Sequence, residues 1–421
     1  MEGAELANTQ TREAYPIAVD NFGLSSLDEL VGDLIVYRNL EPITRKVPGL
    51  KSARHQLGLA TSSVPRKQEK SYAQVALWIL EQAQEQRNAA VEELLFIGDT
   101  LSGDGHTFQV MRSLRSADEP SLDNGELIGL GESEALPSAC FIGNERAGEP
   151  EHFTANDETG MFEANRWSHL VDWISWAQRN GLRLDESTAV VLDLDKTAIG
   201  ARGRNNRAID VARLKGLYRT VGSLLGDKFN AAQFTQHYEK LNRAHYHHLT
   251  GDNQDYLAYI CLVLNNDGLD CADLLDRIED GGVQTFEQFV RYAEVCIAGG
   301  GRVGEAMRQA HEAVNTAVSQ GDPTPFKQFR REEFLATLEH MNNLADDVPA
   351  AERLAQEICI TQEVREAVLW LKARGCLIIS FSDKPDESSI PHRTRHRGKP
   401  PIHTAKTHAT GVSIADRLRN L

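Results

Sequence analysis

At 421 residues, with 41% apolar and 25% charged side chains, the chain exceeds the size at which one hydrophobic core stops growing, so two or more domains are expected. A formal net charge of −16 argues against general binding to nucleic acid or to anionic membrane surfaces, because the long-range field repels polyanions. A small phosphorylated molecule is not excluded by it. The six cysteines, Cys140, Cys261, Cys271, Cys296, Cys359 and Cys376, form no CxxC pair and read as buried thiols of a reducing compartment. There is no basic, apolar leader at the start and no run of roughly eighteen apolar residues. A cytoplasmic location without membrane contact is therefore expected.

In chain order, residues 1–15 form a polar tail and a first α/β part is expected over 16–145. VPGLKSARHQLGLATSS (48–63) predicts a helix, then a short buried strand, LGLAT, ending in hydroxyls at Thr61 and Ser62. KSYAQVALWILEQAQEQ (70–86) carries apolar residues at helical spacing and leads into the strand LLFIG (94–98), the alternation of a parallel α/β unit. A connector rich in Ser, Glu and Gly precedes another strand, ACFIG (139–143). The next part, 146–204, is expected to hold a loop over 146–165, an amphipathic helix over 166–181 and the strand TAVVLDLD (188–195). Residues 205–355 contain only helical patterns, apolar residues recurring at three and four. In 356–421 a helix (360–375) and a strand, CLIISFS (376–382), restore the α/β texture before a polar tail rich in His, Arg and Pro.

The chemistry is concentrated in VVLDLDKTAIG, where Asp193 and Asp195 end an apolar strand. Two carboxylates at a strand end can line one crevice outside a parallel sheet. One can serve as nucleophile while its neighbour protonates the departing oxygen and later activates water. This stretch resembles motif one of the haloacid dehalogenase superfamily. The resemblance implies a parallel-sheet, Rossmann-like core with an all-α cap inserted after motif one, here 205–355. It implies Asp193 as a nucleophile that forms an aspartyl-phosphate, Asp195 as general acid and base, and Thr197 beside the phosphoryl group. LIISFSDKP resembles motif two, with Ser382 as the phosphate-binding hydroxyl, Ser380 as the alternative, and Lys384 close behind.

A lysine and a second acidic pair are still required, and the residues after Ser382 contain no strand ending in Gly-Asp. The N-terminal part supplies LLFIGDTLSGDG, with Asp99 and Asp104, and Lys70 at a predicted helix start. Mg2+ would then be held by Asp193, Asp195, Asp99 and Asp104, with Lys70 or Lys384 as the motif-three lysine. Three arrangements fit: one site built from both halves in permuted order, two related domains with one degenerate, or a noncatalytic protein that binds a phosphorylated ligand or a partner. The expected function is hydrolysis of a small phosphomonoester, with a phosphomutase as the nearest enzymatic rival and a regulatory phospho-ligand-binding protein as the noncatalytic one. A homo-oligomer is compatible with each. Two basic stretches could contact an anion: GARGRNNR, with Arg202, Arg204 and Arg207, and RTRHRGKPPIHTAKTH near the end. HYHH (His245 to His248) reads as surface or packing rather than a metal cluster, since adjacent side chains on a helix diverge.

Overall fold

The computed structural model describes residues 18–59, 63–116, 136–251, 253–266, 269–299 and 304–421. Its strands in chain order are β1 (Asp20–Ser25), β2 (Ile35–Val36), β3 (Glu93–Gly98), β4 (Ser138–Gly143), β5 (Phe153–Asn156), β6 (Met161–Ala164), β7 (Thr188–Leu192), β8 (Ile360–Thr361), β9 (Leu377–Phe381) and β10 (Thr407–Gly411). The runs LLFIG, TAVVL and LIISF are apolar without alternation because they are covered on both faces, as central parallel strands are. They lie inside a seven-stranded sheet of order β2-β9-β7-β3-β4-β6-β5, parallel throughout except for the hairpin pair β5 and β6. The fold is mixed α/β.

Each face of the sheet has its own core. On one, Leu95, Ile97, Val190, Leu192 and Ile378 pack with Trp173 and Ile174 of the helix Leu170–Arg179 and with Val364 and Leu371 of the helix Gln362–Ala373. On the other, Leu94, Phe96, Val191, Ile379 and Phe381 pack with Tyr72, Val75, Ile79 and Leu80 of the helix Lys70–Glu85. The chain between β7 and β8 is helical, running from Asn206–Leu225 to Ala350–Gln356 with no strand among its described residues. It gathers a third core of its own around Phe234, Leu257, Ile260, Phe289 and Phe329.

A second sheet of three strands, ordered β1-β10-β8, joins segments from distant parts of the sequence. β1 runs antiparallel to β10, with Asp20 opposite Gly411. Three local expectations are corrected. Leu57, Gly58 and Leu59 of LGLAT form a turn, because Gly58 at φ +62° ends the helix Leu50–Gln56 with Leu57 N–H bonded to the Ala53 carbonyl and Leu59 N–H to that of Arg54. Thr61 and Ser62 lie outside the described residues. The expected loop at 146–165 contains β5 and β6, and the C-terminal tail contains β10 and the helix Ala415–Arg419. Among the described residues, no helix is long and apolar enough to cross a membrane.

Candidate active site

Strand register brings the halves of the chain together. β3 and β7 pair in parallel with Ile97 opposite Leu192, and Asp193 N–H donates to the Ile97 carbonyl at 2.9 Å. Asp193 is therefore level with Gly98, with Asp99 one residue further on, and both aspartates lie at the carboxyl edge of the sheet. That edge is where ligands bind in open parallel sheets. Asp104 comes back to the same point through a π-helical turn, Leu101–Gly105. Its Oδ2 accepts from the N–H groups of Asp99 and Thr100 at 3.1 and 3.2 Å and from Thr100 Oγ1 at 3.1 Å. Gly98 permits this by lacking a side chain, since a Cβ there would stand 2.5 Å from Asp104 Cβ.

Asp99, Asp104 and Asp193 each present a carboxylate oxygen within 4.8 Å of the others, and all three are buried. Among the described residues this is the one cluster of three or more His, Cys, Asp or Glu side chains with such spacing. Lys67 sits inside it, its Nζ 2.8 Å from Asp104 Oδ1 and 2.7 Å from Asp193 Oδ1. The loop carrying Lys67 is tied down by Thr107, whose hydroxyl donates to the Lys67 carbonyl at 2.8 Å. Thr197 Oγ1 donates to the other oxygen of Asp193 at 3.0 Å, and Arg202 Nε donates to Asp99.

The electrostatics follow from burying three acids with few cations. Burial raises the Asp193 carboxyl well above its usual range; Lys67 opposes this, and the charges of Asp104 and Asp99 add to it. Burial likewise pushes Asp99 up to about 7, helped by Asp104 and opposed by Arg202. Asp104 goes the other way: burial would raise it, but Lys67 and the donated hydrogen bonds hold it low. Burial alone would lower Lys67, yet Asp104 and Asp193 keep it firmly charged.

The other expected site residues separate into near and far. Asp195 stands apart from the three clustered acids, with Arg213 Nη2 at 3.5 Å and Lys384 Nζ at 3.8 Å. Burial raises its carboxyl, but Lys384, Arg213 and Lys196 outweigh that and hold it low. Its side chain is thus not grouped with the metal-type donors. Ser382 is buried just past β9, and its hydroxyl accepts from Lys384 N–H at 3.2 Å. The Ser380 hydroxyl is buried within β9 with no hydrogen-bond partner among the described residues. The Thr197 hydroxyl is committed to Asp193, so it positions that carboxylate rather than a ligand.

Lys70 is exposed on the first turn of its helix, and the lysine in the cluster is Lys67. The sequence offered both in VPRKQEKSY; the useful signal was that a residue in the loop ahead of the helix can reach the strand ends. Of the loop arginines, Arg202 reaches the cluster. Arg204 is buried between Glu145 and Glu363, at 2.5 and 2.8 Å, and Arg207 is exposed. His245 and His248 lie outside any such donor cluster.

The helical segment meets this edge of the sheet. Arg213 on Asn206–Leu225 bridges Asp195 and Glu333, and Lys327 on Lys327–Glu339 pairs with Glu387 beyond Ser382 at 2.7 Å. Together, sheet and side chains define a buried carboxylate and lysine centre at the ligand end of a parallel α/β sheet. Comparison with protein-family descriptions, curated proteins and solved structures gives no match, so the chemistry of the centre itself must carry its interpretation.

Proposed function

We propose that the chain is a magnesium-dependent phosphohydrolase of the haloacid dehalogenase type, with its motifs in permuted order, acting on a small phosphomonoester through an aspartyl-phosphate at Asp193. The observation that carries this reading is the meeting of Asp193 from the C-terminal half with Asp99, Asp104 and Lys67 from the N-terminal half. A composite centre is what the permuted order requires. Two independent or degenerate domains would have no reason to bury these four groups against one another.

The donor set fits a small hard cation. Three carboxylates face two cations, Lys67 and Arg202, and the raised pKa values of Asp193 and Asp99 are those of acids short of positive charge. Asp99, Asp104 and Asp193 would hold the ion, and Mg2+ when bound would neutralise carboxylate and phosphoryl charge as a Lewis acid. Lys67 holds Asp193 in place and offers its charge to the phosphoryl oxygens. Thr197 fixes the other Asp193 oxygen, leaving a defined line of attack.

In the first step an Asp193 oxygen bonds to phosphorus as the bond to the leaving oxygen breaks, and Asp195 gives that oxygen its proton. In the second, water passes a proton to Asp195 while its oxygen attacks phosphorus, freeing phosphate and the Asp193 carboxylate. Asp195 begins with a low pKa because Lys384 and Arg213 face it; an arriving phosphate dianion competes for those cations and raises it toward the protonated form the first step needs. The helical segment over the site serves as the cap that excludes water from the acyl phosphate.

The test is hydrolysis of a phosphomonoester panel with and without Mg2+, by wild type and Asp193→Asn. Activity that needs Mg2+ and disappears in Asp193→Asn is expected. A folded wild type inactive on every ester, or an Asp193→Asn variant that retains activity, would refute the proposal.

A further inference from the structure

Among the described residues, two arginines at the seam between sheet and helical segment have no acidic ion-pair partner. Arg38 lies two residues past β2, and its N–H donates to the Lys384 carbonyl at 3.2 Å, which sets it beside the Ser382 turn at the ligand end of the sheet. Its guanidinium has no hydrogen-bond or ion-pair partner among the described residues. Arg66 directly precedes Lys67. It donates once, from Nη1 to the Gly251 carbonyl of the helical segment at 3.1 Å, and forms no ion pair among the described residues. The contact is close, since a Cβ on Gly251 would lie 3.5 Å from Arg66 Nη1 and 3.8 Å from the Tyr256 ring.

The neighbouring charges do not satisfy this pair. Arg330, near Arg38, is neutralised by Asp255 and Glu333, at 2.5 and 2.8 Å, and adds repulsion rather than relief. Asp255 is spent on Arg330 and on the Phe326 N–H. Asp383 is exposed, near Arg38 but beyond ion-pair distance. Burial lowers the Arg38 pKa; Asp383 opposes this, and Arg66 deepens it. A guanidinium held partly buried beside a second one is costly unless an anion joins them, and the planar fork of each matches a carboxylate or phosphate.

We propose that Arg38 and Arg66 form a second anion subsite, so that the substrate carries a carboxylate or a second phosphate besides the phosphoryl group delivered to Asp193. This rests on the phosphohydrolase reading for the substrate's role, though not for the subsite itself. The ligand spans the seam, one anionic end on Arg38 and Arg66 and the other at Lys67, Ser382 and Asp193. The helical segment meets the subsite through Gly251, whose carbonyl accepts from Arg66.

The test uses the full chain with Mg2+ and matched esters that differ by one anionic group: glycerol 3-phosphate against 3-phosphoglycerate, and glucose 6-phosphate against glucose 1,6-bisphosphate. Wild type is expected to favour the doubly anionic member of at least one pair by about 10-fold or more in kcat/KM, the scale of one charge-assisted hydrogen-bond pair. R38Q/R66Q should lose that ratio, and R38K/R66K, which keeps charge without the fork, should keep part of it. The melting temperature of R38Q, whose guanidinium makes no hydrogen bond among the described residues, should not fall, whereas a purely structural Arg38 would lower it. No preference in any pair, or a preference retained in R38Q/R66Q, overturns the proposal.

Pyrophosphate binding measured without metal on an Asp193→Asn background separates the two readings. If wild type hydrolyses none of the esters, the phosphohydrolase reading fails. The subsite then stands on an affinity loss of about 10-fold or more in R38Q/R66Q, and falls if the affinity is unchanged.

Discussion

Asp99 and Lys67 carry the clearest expectations at the scale of single residues. The folded chain holds the Asp99 carboxyl near 7 against an ordinary 3.8, so over that interval it keeps a proton that the unfolded chain has released. The stability Asp99 contributes is therefore present below pH ~4 and lost as pH rises toward ~7. In metal-free protein, the melting temperature should fall between pH 5 and pH 7.5 by more in wild type than in Asp99→Asn. Taking the difference between variants removes Asp386, which burial also raises to about 7 and which contributes with the same sign. Added Mg2+ should raise the melting temperature more at pH 7.5 than at pH 5, because the ion must displace that proton. Superimposable pH curves for the two proteins would remove Asp99 from the account. Lys67→Gln should lower kcat by about 100-fold or more, having lost the charge that Asp193 and the phosphoryl group share. Lys70→Gln should leave kcat unchanged, since Lys70 faces solvent, and steady-state assays of the pair decide which lysine belongs to the site.

At the scale of elements, the turn after β3 is the most sensitive part. Asp104 sits against Gly98 so closely that Gly98→Ala must push it away, breaking its contacts with Lys67 and with the Asp99 and Thr100 N–H groups. A loss of about 1–3 kcal/mol in unfolding free energy is expected, as for overpacking elsewhere. The apparent Mg2+ requirement should also rise by about 10-fold, and denaturant melts with a metal titration check both. The central strands and their helices were legible because apolar runs bounded by turn residues, and helical spacing of apolar residues, report burial directly. β2, β5, β6 and β10 were not. β2 is two residues long, the Phe153–Asn156 strand is exposed along its length, and β10, THATG, is buried through partners distant in sequence. Lys67 was missed for a related reason: its role is set by the Thr107 anchor and by two carboxylates 37 and 126 residues away, none of which leaves a local pattern.

At the scale of the whole molecule, the permuted order we propose would need the two ends of the chain to lie close together, and they do. β2 and β9 are adjacent parallel strands at opposite ends of the sequence, and the segments leading into one and out of the other meet where β1 pairs with β10. A chain that ran continuously from β9 through β10 and β1 to β2 would follow the same path through space with the DLDKT strand earlier in its order. Parallel α/β sheets accept such rewiring because their packing depends on which strands are neighbours. Strand β7 lies between β9, which Ser382 follows, and β3, which Asp99 follows, and this is how two halves of the sequence come to face one edge of the sheet. The acidic strand ends at Asp99 and Asp193 were visible in the sequence, whereas their convergence is a property of strand order that single segments do not encode.

The most direct test of that convergence is calorimetric titration of Mg2+ into wild type, Asp99→Asn and Asp193→Asn at pH 7.5. One composite centre predicts a single site in wild type whose affinity falls by about 10-fold or more in both variants, although the two aspartates come from different halves of the chain. Binding that survives intact in either variant would contradict the account, because the two halves would then not share a metal site.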